Sequence, residues 1–186
     1  MITTKVSGCI MEAENHFFKT KKIALAGILT SLGAVALILE NIVPTGKLGF
    51  YVFAGFLISV VNMECGLTYG WISFCAVSLI SLILVPEKTA VIPYVLFFGI
   101  YSIMKNYIER INKLLIELVL KFAFFNISLF FMWNIAELFI PEVLFEKLPV
   151  FAVVILLQLV FFAFDWIFSL WTQFYIEKLR PKILRQ

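Results

Sequence analysis

Asn62-Met63-Glu64-Cys65-Gly66 (NMECG) lies between two apolar runs, Leu48 to Met63 and Cys65 to Val85. If these residues turn, the chain carries six long apolar segments. If a helix runs through them, it carries five. The neighbouring breaks are plainer. Pro44-Thr45-Gly46-Lys47 ends a run from Ile23 to Val43, and Pro86-Glu87-Lys88 precedes one from Thr89 to Met104. Two further runs follow, Leu114 to Ala136 and Leu148 to Ile176.

The length of these runs suits lipid, where a helix needs about 20 apolar residues to cross the hydrocarbon. Composition agrees. Of 186 residues, 62% are hydrophobic, 15% are charged and 21 are Phe, whereas a soluble domain averages about half apolar and about a quarter charged. A soluble core of this size does not hide that much apolar surface.

Charge then decides between six segments and five. With six, one side of the membrane receives Lys5, Lys19, Lys21, Lys22, Lys105, Arg110, Lys113, Lys178, Arg180, Lys182 and Arg185. The other side receives Lys47, Lys88 and Lys147, and Lys121 falls inside the fifth segment. Merging the second and third segments scatters this asymmetry, so NMECG reads as a turn. The positive-inside rule places both termini in the cytoplasm of a cell-membrane protein. The expected organisation is an all-α, six-span membrane domain over 23–176, a cytoplasmic N-terminal segment over 1–22 and a basic cytoplasmic tail over 177–186. Residues 1–22 are mixed and polar, with no apolar stretch of the signal-peptide kind before Ile23. Trp133, Trp171 and Tyr175 fall near expected span ends, as an aromatic belt does.

The motifs exclude more than they assign. Gly46-Lys47 resembles the end of a phosphate-binding loop, which needs G-x-x-x-x-G-K-[ST]. Asn41 stands where the first glycine belongs, and Leu48 follows the lysine. The stretch is therefore a turn, with Lys47 at the rim of the second span. His16, the only histidine, precedes the first span. Cys9, Cys65 and Cys75 match no metal spacing. No catalytic residues, metal site or cofactor are expected, and no nucleic-acid partner.

Ionisable groups inside spans are costly and mark function by default. Asp165 lies about midway along the sixth span and Lys121 about two turns into the fifth, with Asn126 deeper. Lys121 and Asp165 are within reach across antiparallel neighbours, either as a structural ion pair or in a substrate or coupling role. Glu117 and Lys121, and Lys105 and Glu109, have the spacing of pairs along one helix, the second expected at the cytoplasmic surface. Glu64 falls near the inner turn as an interfacial residue. On the outer side Glu40, Lys47, Glu87 and Lys88 gather near Tyr51 and Tyr94. They are either interfacial charge or a mouth for a polar solute. Ala26, Thr30 and Ala34 make a small-residue stripe on the first span, with Gly27 and Ser31 beside it, suited to internal packing or to a partner helix.

Over nearly its whole length the chain resembles the substrate-binding S component of energy-coupling-factor transporters. The resemblance rests on the six-span outline, the turn at Pro44 followed by Lys47-Leu48-Gly49, and the stripe Ala26-x-x-x-Thr30-x-x-x-Ala34, where Thr30 replaces the usual alanine. It implies a non-enzymatic subunit that captures a small vitamin-like solute from outside, with Glu40, Lys47, Tyr51, Lys88, Tyr94 and Asn126 as candidate contacts. It also implies that the stripe docks on a transmembrane coupling protein driven by two cytoplasmic ATPases. A scaffold of the MreD-like cell-shape type, which binds no solute, is the alternative with the same outline.

Overall fold

The computed structural model describes residues 2–43, 45–111, 113–139 and 150–180, and every regular element among them is helical. Seven α-helices follow in order: α1 (Ile2–Ile42), α2 (Lys47–Cys65), α3 (Leu67–Leu84), α4 (Lys88–Pro93), α5 (Gly99–Glu109), α6 (Leu114–Phe139) and α7 (Val150–Phe174). A π-helical turn, Tyr94–Phe98, joins α4 to α5, and another, Tyr175–Leu179, extends α7. Six stretches are long and apolar enough to cross a membrane: Thr20–Ile42, Lys47–Cys65, Leu67–Leu84, Lys88–Glu109, Leu115–Ile135 and Val154–Leu179. The chain is a multi-pass membrane protein with six spans. Pro44, Lys147, Lys182, Arg185 and the expected start of the sixth span at Leu148 lie outside the described residues, as do the side chains of Lys5, Cys9, His16 and Lys19.

NMECG does turn. α2 ends at Cys65, and Gly66 takes φ of 99°, a conformation that residues with a Cβ rarely adopt. α3 begins at the next residue. The fourth span is longer than its apolar run, reaching from Lys88 to Glu109 where Thr89 to Met104 was expected. Pro93 explains its irregularity. Proline has no N–H to give the carbonyl four residues back, and the helix widens into the π turn at the following residue, closed by the Gly99 N–H on the Tyr94 carbonyl.

The first four spans pack closely. Thr30 and Ser73 hydroxyls meet 2.9 Å apart between spans one and three. Cys65 donates to the Lys22 carbonyl at 3.3 Å and Asn62 to the Ser102 carbonyl at 3.3 Å. Span two approaches the π turn so closely that a Cβ on Gly55 would lie 2.9 Å from the Phe98 carbonyl oxygen. Ala54, Ile58, Val77, Tyr94, Tyr101 and Ile103 form the fully buried centre.

Two features read from the sequence take their place here. The stripe Ala26, Thr30 and Ala34 faces inward. Ala26 packs with Val61 and Cys65, Thr30 meets Ser73, and Ala34 is buried. It packs spans one to three against each other, the internal of the two roles its spacing allows. The aromatic belt is the second. Tyr175 is buried, and the Trp171 ring stacks on Phe56 at 4.9 Å, so both serve internal packing at the end of span six.

Candidate functional site

α5 places Tyr101, Lys105 and Glu109 at four-residue intervals, which puts them on one face of the helix. That face turns towards α7, where Asp165 and Ser169 are likewise one turn apart. The Lys105 ammonium lies 2.6 Å from Asp165 Oδ1, 2.8 Å from Glu109 Oε1 and 2.8 Å from the Ser169 hydroxyl. It also sits 5.7 Å from the centre of the Phe168 ring, within range of a cation–π attraction. Tyr101 donates to the same Asp165 oxygen.

α6 completes the arrangement with Lys121. Its ammonium stands 3.2 Å from Glu109 Oε1 and 3.2 Å from Asp165 Oδ2. Two ammoniums and two carboxylates therefore alternate in a ring that ties spans four, five and six together. The ring is neutral, which is the condition for keeping charges at lipid depth: each ion's lost hydration is offset only by partners at contact distance. Lys105 is 3% exposed, so it is not the cytoplasmic surface residue the sequence led us to expect. Burial follows from the helix running past Met104, which carries the Lys105 face into the bundle beside α7. Glu117 does not pair with Lys121 among the described residues, because Lys121 turns to Glu109 and Asp165 instead.

Beside the ring, a half-open cleft of about 140 Å³ separates spans five and six. Glu117, Leu118, Lys121, Phe161, Phe162 and Asp165 line it. Further along, Asn126 accepts from Gln158 at 2.9 Å and donates to the Phe122 carbonyl at 2.8 Å. Phe125 stacks on Phe161 at 4.4 Å.

The other expected site residues lie at the opposite ends of the spans. Glu40 is 1% exposed, and its Oε1 lies 3.4 Å from Lys47. Tyr51 donates to the Ala90 carbonyl at 2.6 Å. Lys88 folds back on the end of α3 and donates to the carbonyls of Leu82, Ile83 (3.3 Å) and Val85 (2.8 Å). Those carbonyls have no intrahelical donor, and the ammonium supplies one. Tyr94 is completely buried, and its hydroxyl has no hydrogen-bond partner among the described residues. The Glu40–Lys47 pair is the only ion pair described at this end of the molecule.

Sequence reasoning identified Lys121, Asp165 and Asn126 but not Tyr101, Gln158 or Ser169. The signal for Tyr101 was available in its four-residue spacing with Lys105 and Glu109. Gln158 and Ser169 are ordinary in type, and only the pairing of α6 with α7 gives them partners. Comparison with family models, curated proteins and solved structures finds no match to this chain.

Proposed function

We propose that this chain is the solute-binding membrane subunit of an uptake system of the energy-coupling-factor type, taking a small vitamin-like molecule from outside the cell membrane for import by partner subunits. The observation that supports it best is the ring of Lys105, Glu109, Lys121 and Asp165 with its adjoining cleft. Lys105, Lys121 and Asp165 lie within spans, where charges cost stability that apolar side chains would not, and such groups mark solute or ion pathways by default. The positive-inside rule assigns the ring to the cytoplasmic half and both termini to the cytoplasm. On this reading the chain hydrolyses nothing itself and depends on a coupling protein and two ATPases. A partner docking on the first span would meet its outward residues, among them Gly27 and Ser31, rather than the inward stripe.

The test is mass spectrometry of the tagged protein purified gently from its native membrane. Co-purification of a transmembrane coupling protein with paired ATPases is the expected result. Recovery of cell-wall or cytoskeletal proteins without ATPases would overturn the proposal.

One observation favours the scaffold reading. The polar groups at the expected outer mouth are engaged within the chain: Lys88 with three carbonyls, Tyr51 with Ala90, and Lys47 with Glu40. A scaffold needs no free polar group there. Substituting Lys47→Gln and Lys88→Met together separates the two. A solute binder that uses this mouth loses uptake, and a scaffold keeps its cellular role.

A further inference from the structure

We infer that the cleft between spans five and six binds a primary ammonium group. Three carboxylates stand in or beside the cleft, those of Glu109, Glu117 and Asp165, against the two ammoniums of Lys105 and Lys121. Glu109 and Asp165 are matched by the two lysines. Glu117 is not, since no described cation forms an ion pair with it, yet it lines the cleft together with Asp165. Glu117 thus brings to the cleft wall a carboxylate that no described ion pair engages, in the first turn of α6.

The geometry of the wall selects the compensating group. Lys121 already has a carboxylate 3.2 Å away on each side, so an anion entering the cleft would meet repulsion from Asp165 and Glu117 before it gained the lysine. A cation meets the reverse. Its N–H groups find the carboxylates of Glu117 and Asp165, and Phe161 and Phe162 supply an apolar wall for the rest of the molecule. Carboxylates reward N–H donors specifically, which favours a primary ammonium over a quaternary one. Size is limited as well. A cavity of about 150 Å³ holds one benzene ring, so a cleft of about 140 Å³ admits an amine with one ring or a short chain.

Two sources supply this chemistry. Glu117 stands in the first turn of α6, close to where lipid headgroups lie, so the ammonium belongs either to a free small amine or to an ethanolamine headgroup. The inference is independent of the uptake and scaffold readings, because the charge count is the same under both.

The experiment uses the full chain in nanodiscs of phosphatidylcholine alone, whose quaternary headgroup has no N–H. Benzylammonium, benzyltrimethylammonium and benzoate are titrated by calorimetry. The expected result is one saturable site for benzylammonium, weaker binding of the quaternary ion and none of benzoate. Glu117→Gln is expected to weaken benzylammonium about tenfold or more, the effect of losing a hydrogen bond to a charged group. Glu117 lies outside the ring of ion pairs, so this variant keeps the wild-type unfolding temperature, which is measured alongside. A second arm adds phosphatidylethanolamine. If the headgroup is the occupant, native mass spectrometry shows its preferential retention and benzylammonium affinity falls; if a free amine is, neither occurs. The inference is overturned by benzoate binding as well as benzylammonium. It is equally overturned by amine binding that ignores Glu117→Gln, or by neither amine nor ethanolamine lipid being held.

Discussion

In the apolar 18-residue stretches of spans two and four 56% of the residues are buried; in that of span five the figure is 11% and in that of span six 17%. The two regions are held by different means. Spans one to four meet through small residues and close backbone approach, with Ala34, Ala36, Ala54 and Gly55 at the contacts. Spans five and six turn most of their apolar surface outward, Leu115, Phe130, Leu156 and Trp166 among the most exposed. They are tied to each other by the Asn126–Gln158 bond and the Phe125–Phe161 stack, and to the first four spans by the charge ring and by aromatic contacts of Phe97 with Phe125, Phe161 and Phe164 and of Phe56 with Phe168. Lipid tails are as apolar as these side chains, so apolar burial alone gives little reason for two membrane helices to associate. Where backbones approach closely, dispersion and shape suffice. Where they do not, polar and aromatic contacts do the joining, and the polar ones are those a solute or headgroup can compete for.

The largest expected effect is that of Asp165→Ala. It removes the carboxylate shared by both lysines and by Tyr101, leaving two ammoniums against Glu109. Breaking a buried ion pair from one side costs about 3–5 kcal/mol, so a marked drop in the unfolding temperature in detergent is expected. Phe122→Ala is the comparison. Its ring stacks on Phe162 at 6.3 Å but is 40% exposed, so lipid refills the lost apolar contact, and the loss should be well below that of Asp165→Ala. If the phenylalanine substitution proves the more damaging, spans five and six are held by aromatic packing and the contrast between the regions fails.

Gly55→Ala probes the other region. The added Cβ would sit 2.9 Å from a backbone oxygen that belongs to the π turn, and the two spans must separate to admit it. Overpacking of this kind costs about 1–3 kcal/mol. Gly27→Ala, with nothing within 4 Å of its Cβ, sharpens the point. It faces outward and should match or exceed the wild type, since alanine is the better helix former by up to about 1 kcal/mol. Equal losses at both glycines would show that helix propensity, not close approach, governs the tightly packed region.

Much of the fold was legible because lipid reduces it to lengths and breaks. The six spans followed from apolar runs, from Gly66 and from the lysine and arginine asymmetry. The site was legible only in part. Lys121 and Asp165 stood out because charged residues inside apolar runs are rare. Lys105 did not, because it follows Met104 at the apparent end of an apolar run, and nothing local shows that the helix continues to Glu109. The stripe at Ala26, Thr30 and Ala34 carried the opposite difficulty. Its spacing fits any close helix contact, and only the packed neighbours, Ser73, Val61 and Cys65, show which contact it makes.

Lys88→Met carries the smallest expected effect and asks whether the tightly packed end does anything besides pack. The ammonium donates to carbonyls that close α3. Its side chain is exposed enough for water to replace those bonds, so the loss should be about 1 kcal/mol, the net value of an ordinary hydrogen bond. Thermal unfolding measures that loss, and benzylammonium calorimetry on the same variant measures the cleft. A capping lysine predicts a slightly lower unfolding temperature and unchanged amine binding, because Lys88 contributes nothing to the ring that joins spans four, five and six. A change in amine affinity would mean that the two regions are coupled, and that the end carrying Lys47 and Lys88 communicates with the charges between the last two spans.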